Sequence, residues 1–346
     1  MKFLLIYPPI GATLAMAPHV RTAIEECGHQ VEIFDFSKIM PLCMSRSKTR
    51  DLAWNVAEEL LIKKALEVKP DIFLDIMPCD KKTIRRLKAE GIITCLWFVE
   101  SGYEYSYWRD AAFEYDFFFY IQPGRFIEEV AALGVKNAMY LPHGCNPKIH
   151  RRLSLSETEQ RIYGSDLSFL GEAGPDRAEA FGHLKDYDIK IWGGGWNKFL
   201  DKRWGIEDKI MGGKRRVDVT AVTKIFNASS LNLNLHAAGN IRNNFQGDFA
   251  NARTFSLAGC GAFQLVDKRE AISLHFKIDE EIVCFSTIEE LKEKIDYYLA
   301  HPEEREEIAK AAQERAYKEH TYAHRIEEMV EFIRIKYFGE NLATSK

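Results

Sequence analysis

What this chain lacks narrows it first. No stretch approaches the roughly 20 consecutive apolar residues that cross a bilayer. The opening MKFLLIY is too short for a secretory signal and has no cleavage pattern. The expectation is a cytoplasmic protein without a transmembrane segment, with peripheral contact to a membrane surface left open. The seven cysteines are odd in number, scattered and without CxxC spacing, which argues against a disulfide framework or a zinc site. A basic excess is also missing: the net charge is −4 and the isoelectric point about 6.2, so the electrostatic footprint of general nucleic-acid binding is absent. No glycine fingerprint follows Tyr7 or Leu170, which argues against a nucleotide-dependent enzyme of another type, such as an NAD-requiring oxidoreductase or epimerase.

What is present is an ordinary globular composition, 46% hydrophobic and 28% charged over 346 residues, long enough for two domains. Lys2 to Tyr7 (KFLLIY) reads as a buried strand, a helix runs through His19 to Glu26, and Gln30 to Asp35 (QVEIFD) is a second strand. Helices at Leu52–Val68, Lys81–Glu90 and 124–133 then alternate with strands at Asp71–Ile76, Ile92–Phe98, Asp116–Ile121 and Ala138–Leu141. That alternation predicts a parallel sheet with helices on both faces. Residues 142–159 turn polar and turn-rich, the texture of an interdomain linker. A second series then begins: strands at Asp166–Leu170, Asp188–Trp192 and Leu231–His236, with helices near Arg177–Leu184 and at Val219–Asn227.

The most informative stretch is Asn244 to Ala262, NFQGDFANARTFSLAGCGA. Gly247, Asp248 and Asn251 supply turn and capping chemistry, and Ala252, Phe255, Leu257 and Ala258 follow at helical spacing. Free amides and the helix dipole at such a start favour a phosphate, and Arg253 lies in the first turn where it could neutralise one. Gly259 and Gly261 end the helix, and Ala262–Val266 reads as a buried strand closed by Asp267. An ordinary helix with a surface arginine competes with this reading.

Several other constellations could carry chemistry. Gly171 and Glu172 follow the second domain's first strand. WGGGW, with Gly193, Gly194 and Trp196, follows its next strand, where backbone can approach a ligand and indoles can stack on a base or sugar; a tight turn beside core aromatics explains it equally well. Lys214, Arg215 and Arg216 form the sharpest basic run, which a solvated loop also explains. In LNLNLHAAGNIRNN, alternation puts Asn232, Asn234 and His236 on one strand face, costly in a core unless partnered. His236, nearest the strand's carboxyl end, is the candidate there, and the asparagines read as structural; Asn240, Arg242, Asn243 and Asn244 follow. In the first domain, Pro8 to Gly11 and Glu100 to Tyr107 (ESGYEYSY) follow parallel strands, where open α/β sheets bind ligands. His143 is a weaker candidate, and His19 and His29 read as capping or surface residues.

The order of Arg253 to Phe255, Cys260 to Ala262, His301 to Arg305 (HPEER) and His320 to Tyr322 (HTY) resembles the group-one glycosyltransferases, and among them the branch that includes the CgeB-like spore-maturation proteins. The resemblance implies a GT-B architecture, two Rossmann-like domains facing a cleft. An acceptor-side domain would span 1–150, a nucleotide-sugar domain 160–320, and a helix over 321–346 would return to the first domain. It implies transfer of a sugar from a nucleotide-diphosphate donor to a hydroxyl on a glycan, protein or small molecule. That transfer would need no bound metal and no permanent cofactor, and precedent leans towards retention. The two glutamates that the family carries on the related helix fall here at Asp248, near the donor sugar, and at Ser256, on the ribose. Asn251, Arg253 and Thr254 would complete the donor site, and Glu100 would face the acceptor, as general base if the reaction inverts. Ser256 keeps no carboxylate, so a binding protein that kept the fold and lost turnover is the alternative.

Overall fold

The computed structural model describes residues 1–9, 13–39, 47–199, 204–211, 217–236 and 248–339. They form two compact units, one of residues 1–142 together with the helix Tyr322–Ile333, the other of residues 143–321.

The first unit is a parallel sheet of β1 (Lys2–Tyr7), β2 (Gln30–Asp35), β3 (Ile72–Asp75), β4 (Ile93–Phe98), β5 (Phe117–Tyr120) and β6 (Ala138–Tyr140), in the order β2-β1-β3-β4-β5-β6. Its inner strands are apolar on both faces because helices cover both, and ITCLWF and FFFY are buried at every position. The helix Tyr322–Ile333 buries Tyr322, Ile326, Met329, Val330 and Ile333, a stripe at i, i+4, i+7, i+8 and i+11. The Tyr322 ring meets Trp97 edge-on at 6.2 Å, and Phe332 meets Phe117 and Phe119 at 6.0 Å. The carboxyl-terminal helix therefore completes the first sheet.

The second unit holds β7 (Leu167–Leu170), β8 (Ile189–Trp192), β9 (Ile210–Met211), β10 (Leu231–Asn234), β11 (Gln264–Asp267) and β12 (Val283–Phe285), all parallel, in the order β12-β11-β10-β7-β8-β9. Counted from its own first strand, that is the 3-2-1-4-5-6 order of dinucleotide-binding sheets. Phe169, Leu233, Leu265 and Val283 carry the core across the sheet.

Three local expectations change. Residues 157–163 do not continue a linker: they form a helix whose start is a capping box, with the Ser156 hydroxyl accepting from the Glu159 amide and the Glu159 carboxylate accepting from the Ser156 amide. The strand expected to reach His236 stops at Asn234, because the His236 amide donates to the Asp267 side chain instead of a neighbouring strand. His19 is neither cap nor surface residue. It is buried in the helix Thr13–Glu26 and stacks on Tyr322 at 5.8 Å.

Two buried titratable groups of the first unit oppose each other. Burial pushes His19 from 6.5 down to about 4. It pushes Asp75 from 3.8 up to about 6, against hydrogen bonds from the Tyr115 hydroxyl and the Met77 and Cys79 amides. As pH falls from 6.5 to 4 the unfolded chain takes the histidine proton that the fold refuses, so stability drops; between 6 and 3.8 the folded Asp75 takes a proton first, so stability rises. Each contribution is on the order of 3 kcal/mol. Relative to the parent protein, His19→Gln should gain stability on acidification from pH 7 to 4, and Asp75→Asn should lose it. Hydrogen exchange of the β1 and β4 amides reads both, and parallel pH profiles for all three proteins would refute the assignment.

Candidate functional site

The second sheet reverses direction between β7 and β10: the chain leaves β7 towards β8 and β9, and leaves β10 towards β11 and β12. Open α/β sheets bind ligands beyond the strand carboxyl ends at such a switch point. Three segments converge there: the loop from Gly171 after β7, Leu235 and His236 after β10, and Asp267 to Arg269 at the end of β11. The helix Ala252–Gly259 starts among them.

Two arginines dominate the site. The Arg253 guanidinium lies 4.8 Å and that of Arg177 5.1 Å from the centre of the Phe169 ring. Arg177 is buried and donates to the carbonyls of Glu172 and Leu235, both at 2.6 Å. Arg253 donates to the Asn234 side-chain oxygen at 3.0 Å and to the Leu235 carbonyl at 3.3 Å. Neither ion pair recorded for the described residues at this edge includes Arg177 or Arg253; both end on Asp267, from His236 and from Arg269. Desolvation first, then repulsion from Arg177, pulls Arg253 down to about 9. Desolvation, against the attraction of Asp267 and Glu172, pulls Arg177 down to about 10. Both stay protonated at neutral pH, so the site carries concentrated positive charge held by neutral acceptors. An anion relieves that cost. The sequence places Arg253 at a phosphate site; Arg177 reads there only as the start of a helix, because the Leu235 carbonyl that it reaches lies 58 residues further along the chain.

The helix start is built by amide side chains. Asn251 is the N-cap, its side-chain oxygen accepting from the Thr254 amide at 3.0 Å and its side-chain amide donating to Asn234 at 2.9 Å. Asn234, fully buried, donates to the Thr254 hydroxyl at 2.9 Å and the Gln264 side-chain oxygen at 3.0 Å, and accepts from Arg253. Every bond of its amide is made, so an asparagine that reads as structural also aims the arginine. Thr254 is a correction: it is fully buried and faces the sheet, and its hydroxyl belongs to this cap.

His236 is a second correction. Its Nδ1 lies 2.7 Å from Asp267, and its Nε2 accepts from the Asn251 amide at 3.2 Å. With both nitrogens taken and the side chain fully buried, it has no proton position facing a substrate. Burial lowers its pKa against the pull of Asp267. Asp267 sits well below the usual carboxylate range because His236 and then Arg269, which donates at 3.0 and 2.5 Å, together outweigh its burial.

The loops after β7 and β8 zip together. The Gly171 amide donates to the Trp192 carbonyl and the Ala173 amide to that of Gly194, both at 2.9 Å. The Trp196 indole donates to the Gly171 carbonyl at 3.0 Å, and its buried ring packs on Phe169 and Phe181. Trp196 is therefore a core residue and not a stacking face. Gly193 approaches backbone rather than ligand: a Cβ there would overlap the Gly171 carbonyl, and its φ is +130°. At Gly171 a Cβ would stand 2.6 Å from Arg253 and 2.7 Å from the Phe169 ring, so only glycine leaves room for that guanidinium. The Glu172 side chain is exposed beside it.

The remaining candidates have local hydrogen-bond partners. Asp248 accepts from the Ala271 amide at 3.0 Å, and the Ser256 hydroxyl donates to the Ala252 carbonyl at 3.0 Å inside its own helix. In the first unit Glu100 accepts from the Tyr107 hydroxyl. Tyr107 also borders a cavity of about 510 Å³, lined with Trp54, Cys79, Asp110 and Tyr115. Gly11, Lys214 to Arg216, Asn240, Arg242 to Asn244 and Gly247 lie outside the described residues. Among the described residues, no group of three or more His, Cys, Asp or Glu side chains is placed to hold a metal ion, and no helix is long and apolar enough to cross a membrane.

Residues 177–331 match the glycosyl transferase-like family. The spore protein CgeB of Bacillus subtilis (strain 168) is 27% identical over 198 residues, which cover 54% of this chain and 59% of that protein. The match thus spans little more than half the relative's length. The sucrose-phosphate synthase of Thermosynechococcus elongatus superposes with a TM-score of 0.65 at 11% identity, over 98% of this chain and 100% of the other. The Anabaena protein HepE, in complex with UDP and glucose, does so at 0.64 and 13%, over 96% and 99%. The architecture is the two-domain GT-B fold.

The glycine roles predict a contrast. Gly193→Ala should force the paired loops apart and cost about 1 to 3 kcal/mol, lowering the melting temperature by several degrees. Gly194→Ala, with nothing within 4 Å of its added methyl, should stay near the parent protein. Equal melting temperatures for the two variants would refute the loop pairing.

Proposed function

We propose that the chain is a member of the group-one glycosyltransferase superfamily, in its CgeB-like branch, and that it moves a sugar from a nucleotide-diphosphate donor to a hydroxyl acceptor. The observation that carries this reading is the pair of arginines on Phe169 beside a capped helix start. Asn251 fixes that start, and the first-turn amides of a helix have no acceptor within it. Together with the helix dipole they add to the guanidinium charge.

In the proposed reaction the bond between the sugar's anomeric carbon and the diphosphate oxygen breaks, and negative charge gathers on the leaving nucleoside diphosphate. Arg253, backed by Arg177, meets that charge. Because both groups are locked before the donor arrives, they stabilise the developing charge without reorganising. On this reading the guanidinium pair does the work that a bridging cation does elsewhere, which makes transfer metal-independent. Asp248, oriented by the Ala271 amide, would lie towards the donor sugar and Ser256 towards the ribose. The acceptor oxygen forms the new bond and gives up its proton to the departing diphosphate oxygen. Following the superfamily resemblance we read the outcome as retaining; Glu100 would take the proton only in the inverting case. The net charge of −4 fits a sugar-nucleotide and glycan, protein or small-molecule partner rather than nucleic acid.

One observation favours a second reading. The Ser256 hydroxyl is bonded within its helix, and a hydroxyl grips a ribose more weakly than a carboxylate does. A protein that binds the donor and does not turn it over would look the same at this position.

Thermal-shift and calorimetric titration against UDP, GDP, ADP, TDP, CMP and their sugar conjugates tests both. One nucleoside diphosphate should raise the melting temperature, and Arg253→Ala should weaken its binding about tenfold to a hundredfold, the loss expected for a charge-assisted hydrogen bond. Absence of binding by every nucleotide overturns the donor site. Binding with neither transfer nor donor hydrolysis selects the second reading.

A further inference from the structure

His236 and Asp267 are buried beside the anion site, and every polar side-chain atom of the two is committed. Asp267 Oδ1 accepts from both the His236 amide at 3.0 Å and His236 Nδ1 at 2.7 Å. Its Oδ2 accepts from Arg269 Nε at 3.0 Å and Nη2 at 2.5 Å. On the far side of the ring, Nε2 accepts from the Asn251 backbone amide. An amide can only donate, so Nε2 is the unprotonated nitrogen and Nδ1 carries the hydrogen towards the carboxylate. Asn251 is also the helix N-cap, and through Asn234 it shares an acceptor with Arg253. A continuous chain of hydrogen bonds therefore runs from Arg269 through Asp267, His236, Asn251 and Asn234 to the guanidinium.

We infer that His236 is a positioning residue: locked by Asp267 as the Nδ1–H tautomer, it presents a lone pair to the Asn251 amide. It thereby fixes where the helix start and Arg253 meet a diphosphate. The inference rests on the proposed donor site for the identity of the ligand, but not for the relay itself. The charged groups facing the ring are Asp267 and Arg269 from the end of β11 and Arg253 from the helix, with the Phe249 ring edge-on at 5.6 Å. Only the neutral Nδ1–H form satisfies this set. A proton moved to Nε2 would turn two donors towards each other at the helix cap.

Asp267→Asn separates a relay from mere packing. The two charged Arg269 donors would hold the amide oxygen of the new side chain, which turns its NH₂ towards Nδ1, gives up the bond from the His236 amide and drives the ring into the Nε2–H tautomer. Long-range proton–nitrogen NMR on histidine-labelled protein should show a protonated Nδ1 at His236 in the parent and a protonated Nε2 in Asp267→Asn, with faster exchange of the Asn251 amide in the variant. Calorimetry with inorganic pyrophosphate should give about tenfold weaker binding for Asp267→Asn and for His236→Ala. His236→Gln, whose side-chain oxygen can still accept from Asn251, should recover most of that loss. A protonated Nε2 in the parent protein, or no difference between the alanine and glutamine variants, overturns the inference. If the parent binds no pyrophosphate, the donor site fails, while the tautomer and the Asn251 exchange rate still decide the relay.

Discussion

The second unit is organised around two like charges brought to one aromatic ring. Arg177 and Arg253 both lie within about 5 Å of the Phe169 centroid, in surroundings that penalise each charge. Such a pair is expensive, and the neighbouring structure is arranged to hold it. Two carbonyls hold Arg177, an asparagine and a carbonyl hold Arg253, and Asp267 supplies the negative field at longer range. The glycine at position 171 leaves space for the guanidinium, and the zipped loops after β7 and β8 fix that glycine. The constraint runs from charge to loop to sheet: the loops pair because the strand order places β7 beside both β8 and β10.

The polar residues inside β10 follow from the same constraint. Asn232 and Asn234 lie in a strand buried at every position, where an unpartnered amide costs more than a hydrogen bond returns. Asn232 accepts from Ser168 at 2.8 Å and donates to the Phe226 and Phe263 carbonyls, so it ties β10 to β7 and to the helix before it. Asn234 ties the same strand to β11, to the helix cap and to Arg253. Two residues of one type, two positions apart, thus divide into a packing role and a site role. The difference is depth along the strand: Asn234 is the last residue before the carboxyl edge, where the ligand-facing helix begins.

Much of the fold could be read from the chain because its signals are local. Continuous apolar runs such as KFLLIY and FFFY mark buried parallel strands, and their spacing by helical segments implies crossovers. The site was legible only where its chemistry is local too. Asn251 and Arg253 stand in one turn, so capping and charge could be read together. Arg177 could not be read, because its partners Phe169 and Leu235 come from β7 and from beyond β10. The opposite error befell Trp196, Thr254 and His236. Each has a side chain capable of meeting a ligand, and each spends it inside the protein.

The sequence by itself determined the α/β alternation, the doubling of the domain, the helix with its arginine and the family resemblance at the carboxyl-terminal half. These rest on periodicity, capping and residue order, which act over a few residues at a time. Only the tertiary structure decided which polar groups face a ligand and which face one another. It joined Arg177 to Arg253 and turned His236 from a candidate of the cleft into the acceptor for the Asn251 amide. Those outcomes depend on contacts between strands and loops far apart in the chain, and hydrogen-bond partners are set by three-dimensional proximity, which the order of residues does not record.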